Sequence, residues 1–350
     1  VQWNLVDLLL DNSTSAGTEA LSTLFTYLLP YQLKEKITNL PDIVLDLNPE
    51  AAKIPWELLD VSTRTTNNRE PISVQGSMLR TLSTITPREN PRRSSERRAL
   101  VIGEPAGVTP PLPAALAEAK AVAALLNTRQ LEVTTVFQGT PREIMNAMYA
   151  GDYDVVHVAA HGAFHGPQEE KPSGVVLAND LYLRSKEFAN LQALPSIVFL
   201  NCCHLGAIDT SPVGQPSSRR LRQPGKFSAS LAEHLVDMGV GVVVVAGWAV
   251  SDEPAKVFSE KLYSELLNGD NLSNALRVAR LATYQACPSG DVTWGAFQVY
   301  GDPGVVLHWA GRHSSGRESI FPTFVSPTEF TEYILDLGTK GRVGERQQQL

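Results

Sequence analysis

Cysteine is scarce in this chain: three residues among 350, two of them adjacent, which cannot build a disulfide framework. Such a sparse, odd count suits a reducing compartment, so we expect a cytoplasmic protein. Long apolar runs are missing as well, because the longest, Val240 to Val250, falls short of the about 20 residues that span a bilayer. The sequence therefore predicts no membrane segment, and its start at Val1 instead of methionine indicates a piece of a longer protein.

An excess of basic residues is also lacking, because the formal net charge is -7. Domains that bind nucleic acid usually present a basic face, so direct nucleic-acid binding is not expected. Basic residues do cluster locally, at Arg92-Arg93, Arg97-Arg98 and 219–222. Pro and Ser surround these clusters, which favours solvated loops as their interpretation.

The motifs of several enzyme classes are missing. There is no Gly-x-Ser-x-Gly nucleophile elbow, no Walker loop and no His-Glu-x-x-His. His157, His161 and His165 recur every four residues, which on a helix would suggest a metal site, but the flanking valines favour a strand. Gly239-x-Gly241 precedes a valine run instead of opening a helix, which argues against a dinucleotide site. We therefore expect neither a metal nor a cofactor.

Composition divides the chain into four parts. Leucine spacing predicts helices in the first part, and a stretch rich in Pro, Arg, Thr and Ser marks a boundary near residue 95. The last part loses all periodicity apart from one amphipathic stretch. The predicted parts are a helical segment at 1–41, a smaller N-terminal subdomain at 42–95, a main domain at 96–310 and a C-terminal extension at 311–350.

Strands and helices alternate through the main domain. Predicted strands lie at 98–103, 131–137, 153–162, 197–206, 239–247, 293–300 and 305–309, with a hairpin at 175–183. Such alternation predicts an α/β fold with a mostly parallel sheet. Ligand sites in these sheets collect at the carboxyl ends of the strands.

Two of these runs deliver reactive side chains to a strand end and then break at glycine. The run 153–162 ends in His161-Gly162, and the run 197–206 places Cys203 near its end. If the two strands are neighbours, their ends lie roughly 5 Å apart. A thiol nucleophile and an imidazole base can then act on one substrate. A buried cysteine that only packs and a histidine that only bonds to the backbone are the alternatives.

Strand alternation distinguishes the two adjacent cysteines. Cys202 shares a face with Leu200 and should be packed, whereas Cys203 lies one step further out. Cys203 is therefore the predicted nucleophile and His161 the predicted base. The backbone N–H groups of Gly162 and Cys203 are placed to form an oxyanion hole.

Both motifs resemble those of the CHAT family, caspase-like cysteine peptidases of bacteria and some eukaryotes that are related to caspases and separases. The family has one apolar strand ending in His-Gly, as at His161-Gly162, and another ending in Leu-x-x-Cys-x-x-Gly, as at 200–206. The second spacing also selects Cys203. Further similarity lies, in chain order, in Ile54-Pro55-Trp56-Glu57-Leu58, Leu100-Val101-Ile102-Gly103, Trp248-x-Val250-x-Asp252, Trp294-Gly295-Ala296-Phe297 and Tyr300-Gly301-Asp302-Pro303.

The resemblance implies a caspase-like three-layer sandwich, in which a mostly parallel sheet is flanked by helices. It also implies cysteine endopeptidase activity on a protein or peptide substrate. Cys203 would attack the scissile carbonyl, and His161 would assist proton transfer to the leaving amine. An activating sensor domain or partner protein would control the reaction. The alternative is a catalytically silent CHAT domain that serves as a scaffold or regulatory binding module.

The substrate pocket carries a weaker signal. Trp248 and Asp252 follow the last core strand, and the resemblance implies that this region helps to form the specificity pocket. Asp252 either favours a basic substrate side chain or is an acid in the first turn of a helix, and we favour the second interpretation. The Pro- and Arg-rich stretch 207–227 is expected to be a long loop, in which Arg219-Arg220 or Arg222 marks a processing or gating site.

Overall fold

One sheet of ten strands runs through the part of the chain that the computed structural model describes, namely residues 18–37, 40, 42–59, 70–82, 94, 96–108, 110–129, 131–163, 173–178, 181–204 and 218–307. The strands are β1 (Asp42–Leu47), β2 (Ser77–Leu82), β3 (Arg98–Gly103), β4 (Glu132–Phe137), β5 (Val155–Ala163), β6 (Gly174–Ala178), β7 (Leu181–Leu183), β8 (Ile197–His204), β9 (Val242–Ala246) and β10 (Phe297–Tyr300). Their spatial order is β1-β2-β10-β9-β8-β5-β3-β4, and the predicted hairpin β6–β7 pairs with β5. Neighbours along this path are parallel except β9 and β10.

Helices cover both faces of this sheet. They are α1 (Thr18–Leu28), α2 (Tyr31–Ile37), α3 (Pro49–Ala52), α4 (Ile72–Gln75), α5 (Pro113–Asn127), α6 (Pro141–Ala150), α7 (Ser185–Ala189), α8 (Ser218–Asp237), α9 (Asp252–Asn268) and α10 (Leu272–Ala286). Apolar side chains of α5, α9 and α10 pack on one face, and those of α6, α7 and α8 on the other. The predicted three-layer sandwich with a mostly parallel sheet is confirmed.

The central strands are apolar because both of their faces are covered. All five residues of β9 are buried, as its valine run predicts. On β8, Phe199 belongs to the cluster beneath α5, α9 and α10, whereas Val198 and Leu200 belong to the cluster on the opposite face. Each such side chain contributes about 1.5–3 kcal/mol of burial free energy, which fixes the register of β8 against its neighbours.

The helix limits follow local signals that the sequence carries. Thr140 accepts a hydrogen bond from the Glu143 N–H, and the Glu143 carboxyl group accepts one from the Thr140 N–H, so a capping box begins α6. Gly269 ends α9 with a left-handed φ of 94°, a conformation that glycine adopts without strain.

The N-terminal part, residues 18–82, is smaller and extends the sheet by β1 and β2. Phe25, Ile43, Leu58 and Met78 pack with Trp294 in a third apolar cluster at this end of the molecule. The predicted boundary near residue 95 therefore does not divide two sheets, because the strands before it and after it belong to one sheet.

Two local predictions are wrong. The stretch 207–227 is not a loop throughout, because α8 begins at Ser218 and continues through Pro224. Arginine and lysine, which are frequent in the first turns of α8, favour helix. These turns continue into the later part of α8, where the apolar side chains from Ala229 onward are packed. Residues 207–217 lie outside the described residues. The segment 305–307 is not a strand; the Val305 carbonyl accepts from the Leu272 N–H at 2.8 Å, where α10 begins.

Candidate active site

The strands β5 and β8 align the two predicted catalytic residues. They pair in parallel over eight positions, and His161 lies opposite Cys203 in the register. Neighbouring strands are about 4.8 Å apart, so the two backbones lie side by side at the carboxyl ends of their strands. The structure thus brings together the residues that the sequence analysis paired.

Cys202 lies on β8 between the core and this strand end. Its side chain packs against the cluster beneath α6, α7 and α8, which also contains Leu200. This packing is what the strand alternation predicts for Cys202. It gives Cys202 a structural place in the fold.

His161 is held in one orientation by a backbone contact. The residue is 3% exposed, and its Nε2 lies 2.6 Å from the carbonyl oxygen of Pro110. A carbonyl oxygen only accepts hydrogen bonds, so Nε2 carries the proton and Nδ1 is the basic nitrogen. Nδ1 is buried and has no hydrogen-bond partner among the described residues. The ring therefore keeps one nitrogen available for a substrate or a thiol.

Burial makes this ring a weak base. Loss of hydration lowers the pKa of His161 below its ordinary value, although the Pro110 carbonyl and the charge of Glu104 act in the opposite direction. The imidazole therefore stays neutral to a lower pH than an exposed histidine would.

The loop between β3 and α5 supplies the Pro110 carbonyl. Glu104 follows β3 with a left-handed φ of 46°, and its Oε1 accepts from the Leu112 N–H at 2.7 Å, which closes the loop. Sequence reasoning missed the contact of this loop with His161. Composition gives no signal for a backbone carbonyl that reaches a side chain 51 residues away.

A buried polar cluster lies beneath the strand ends. Glu118, on α5, is 2% exposed, and its Oε2 accepts from Asn201 Nδ2 at 2.6 Å. His157 Nε2 lies 3.4 Å from Glu118 Oε1, and the Tyr263 hydroxyl lies 3.4 Å from His157 Nδ1. Burial and the neighbouring Glu118 raise the pKa of Tyr263 well above its ordinary value. Sequence reasoning missed Glu118, although a glutamate inside the apolar stripe of α5 was a readable signal.

A narrow cleft opens beside this cluster. Its lining combines the beginnings of α5 and α9 with residues of β5 and β8: Leu112, Ala114, Ala115, Glu118, Ala160, Asn201, Val250, Asp252 and Ala255. Of the two predicted substrate-binding residues, Asp252 lines the cleft and Trp248 does not. Trp248 is 3% exposed and packs with Leu58 and Trp294 in the N-terminal cluster.

Gly162 lies inside β5, where the sequence analysis expected the strand to break. The strand continues to Ala163, and Gly162 pairs with Val175 of β6 as well as with β8. A Cβ at position 162 would lie 3.0 Å from the Cys202 carbonyl oxygen and 3.2 Å from the Cys202 Cβ. Glycine is therefore the residue that lets the two strands approach each other here.

The described residues contain no group of three or more His, Cys, Asp or Glu side chains that could hold a metal ion. Among the helices of this part of the chain, none is both long and apolar enough to cross a membrane.

A mostly parallel sheet between two helical layers, with histidine and cysteine at the paired ends of adjacent strands, is the arrangement of the caspase-like class of proteins. The family model of the CHAT domain matches residues 18–302, well over half of the chain. The protein therefore belongs to the CHAT family.

Several solved structures are similar to this chain at low sequence identity. The crystal structure of the "Arg specific cysteine proteinase gingipain R (RGPB)" has 13% identity and a TM-score of 0.47, and the match covers 87% of this chain and 74% of that chain. A complex of Porphyromonas gingivalis RgpB pro- and mature domains has 11% identity and a TM-score of 0.47, with 87% and 76% covered. The Saccharomyces cerevisiae separase–securin complex has 17% identity and a TM-score of 0.42, with 74% of this chain and 15% of that chain covered. No curated protein matches the sequence.

Proposed function

We propose that this protein is a cysteine endopeptidase that cleaves a protein substrate through Cys203 and His161. The observation that carries the proposal is the β5–β8 register, which sets the two residues opposite each other at the strand ends. The fold family adds support, since the CHAT match covers both residues.

The reaction divides between the two residues. His161 takes the thiol proton of Cys203 as the sulfur attacks the scissile carbonyl carbon, and the carbonyl oxygen becomes an oxyanion. The backbone N–H groups of Gly162 and Cys203 donate to that oxyanion. His161 delivers a proton to the amine as it leaves, which yields an acyl-enzyme. Water then attacks the acyl carbon and His161 takes the water's proton. The carbon–sulfur bond breaks, and His161 returns the proton to the departing sulfur, which restores the free thiol.

The environment of His161 suits this role. Because Nε2 donates to the Pro110 carbonyl, Nδ1 is the nitrogen that exchanges protons with the thiol and the leaving amine. Burial keeps the ring neutral at neutral pH, so it can accept the thiol proton. The Pro110 contact also fixes the ring plane, which spares the cost of ordering it during the reaction.

Control by another protein or domain is part of the proposal. The N-terminal part, residues 18–82, adds β1 and β2 to the sheet, and its apolar cluster packs against Val250, which lines the cleft. A sensor or partner that binds this part would therefore act on the cleft through Val250.

A covalent probe tests the assignment. A peptidyl acyloxymethyl ketone is added to the wild-type protein and to the Cys203→Ala and Cys202→Ala variants, and the adduct is located by mass spectrometry. We expect labelling of the wild type and of Cys202→Ala, and a loss of about a thousandfold or more in Cys203→Ala. Cleavage of a peptide library should follow the same order. Labelling that persists in Cys203→Ala, or a protein that never labels, would favour the silent scaffold.

A further inference from the structure

The side chains that line the cleft beside the paired strand ends carry two carboxyl groups and no cationic group. Its polar lining consists of the carboxyl groups of Glu118 and Asp252 and the amide of Asn201, whose Nδ2 already donates to Glu118. No lysine, arginine or histidine is among the nine described residues that line it. A ligand group that brings hydrogen-bond donors and positive charge therefore complements these side chains.

Glu118 has bonding capacity left. Glu118 is 2% exposed, and its Oε1 makes no hydrogen bond among the described residues; His157 Nε2 faces this oxygen at 3.4 Å. Buried acceptors in folded proteins usually have a hydrogen-bond partner, so this oxygen at the wall of the cleft can still accept from a donor that enters.

The position of the cleft ties it to the proposed reaction. Ala160 directly precedes His161, Asn201 lies two residues before Cys203, and Leu112 follows the Pro110 carbonyl that holds His161. When the scissile carbonyl carbon of a substrate lies at the end of β8, the substrate side chain nearest to that carbon therefore lies beside the cleft.

We propose that this cleft binds the side chain on the amino-terminal side of the scissile bond, and that this side chain is arginine or lysine. The inference rests on the proposed peptidase function. Asp252 then has both of the roles that the sequence left open: it is an acid in the first turn of α9, and it lines the specificity pocket.

The charges around the cleft favour a cation over an anion. First-turn residues of α5 and α9 line it, and each helix start carries about half a positive charge, which taken alone would attract a carboxylate. The two acidic side chains oppose these partial charges, and neither is bonded to a lysine or arginine by any contact in the described residues. An acidic substrate side chain would meet two carboxyl groups and no side-chain cation.

The width of the cleft favours an unbranched side chain. The space open to water is about 20 Å³, close to that of one water molecule, so the cleft has to widen at its exposed rim when a side chain enters. The slender methylene stems of lysine and arginine need the least widening among large side chains. Branched and aromatic side chains are disfavoured for the same reason.

Matched peptides test the charge preference. Peptides that differ only in arginine against its neutral isostere citrulline, with further members carrying aspartate and alanine, are compared by kcat/KM. We expect kcat/KM for the arginine peptide to exceed that for the citrulline peptide by about tenfold or more. This ratio corresponds to the free energy of one charge-assisted hydrogen bond. Asp252→Asn should remove most of that ratio, because it removes the charge that distinguishes the two peptides. Glu253→Gln is the control, because it removes a neighbouring first-turn charge that does not line the cleft.

A binding measurement separates this inference from the peptidase proposal. In Cys203→Ala, which cannot react, fluorescence anisotropy should show tighter binding of the arginine peptide than of the citrulline peptide. Equal cleavage of both peptides, or a preference for aspartate or alanine, would overturn the pocket assignment and leave the peptidase standing. Arginine-selective binding to a wild-type protein that cleaves nothing would keep the pocket and overturn the peptidase. Neither cleavage nor selective binding would overturn both.

Discussion

Two buried polar clusters in this protein differ in how completely their atoms are bonded. In the first, Arg80 bonds through Nε and Nη2 to both oxygens of Glu57, at 2.8 and 2.5 Å, and to the carbonyls of Ala52 and Ile54, at 2.6 and 2.8 Å. In the second, beneath the strand ends, His161 Nδ1 and Glu118 Oε1 have no hydrogen bond among the described residues.

The difference separates stabilisation from function. Arg80 and Glu57 are fully buried, and their bonds join the segment 49–58 to β2, so this cluster fixes one arrangement of the N-terminal part. Arg280 donates hydrogen bonds to the carbonyl oxygens of Met78 and Phe297, and burial lowers the pKa of Arg280 to about 10. The carboxyl oxygens of Glu57 and the guanidinium nitrogens of Arg80 are thus all bonded, whereas Arg280 Nε makes no hydrogen bond among the described residues. The strand-end cluster is nearly as buried and yet keeps acceptors available, which is typical of a binding or catalytic site.

The largest effect on stability should come from the bonded cluster. Glu57→Gln leaves Arg80 without its charged partner and should cost about 3–5 kcal/mol of unfolding free energy. Glu118→Gln keeps an oxygen that can accept from Asn201 and should cost less, about 1–3 kcal/mol. Urea unfolding of both variants measures the difference. A Glu118→Gln protein that is the less stable of the two would contradict this comparison.

A smaller effect is expected from pH, through His161. Burial lowers its pKa, so the acid limb of the kcat/KM profile should have its midpoint below the ordinary histidine value of 6.5. The same shift acts on stability with a defined sign. The unfolded chain takes up the proton at the ordinary pKa and the folded protein only at lower pH, so stability should fall as the pH drops below about 6.5.

The control for this prediction is His161→Gln, which removes the titrating ring. The unfolding free energy of this variant should therefore depend less on pH between neutral and mildly acidic conditions. An acid limb above the ordinary value, or a slope that His161→Gln leaves intact, would show that another group sets the pH dependence.

The sequence predicted the strand-end pair because local signals and topology agree there. Apolar runs that end in His161-Gly162 and near Cys203 predict buried parallel strands, and parallel strands present their carboxyl ends at one edge. The residues that hold the pair were harder to find. Pro110 acts through its backbone carbonyl, and the residue type does not reveal such a contact. The partners of Glu118 lie on β5 and β8, far away in sequence.

The predictions of helix and strand limits were wrong where long-range packing overrides local composition. Pro224 and Gly225 predict a loop, yet α8 runs through them ahead of its packed apolar stretch. The apolar residues 305–307 predict a strand, yet they follow β10 and contact the start of α10. Trp248 likewise follows the last core strand as expected, but the N-terminal cluster takes up its side chain.

The rate at which Cys203 is alkylated tests the central claim most directly, because it needs neither a substrate nor an activator. Cys287 serves as an internal reference, since burial and Asp291 raise its pKa to about 11. With iodoacetamide at neutral pH, Cys203 should react at least about tenfold faster than Cys287, and His161→Ala should remove most of that advantage. A Cys203 that reacts no faster than Cys287, or at the same rate with and without the imidazole, would contradict a Cys203–His161 pair.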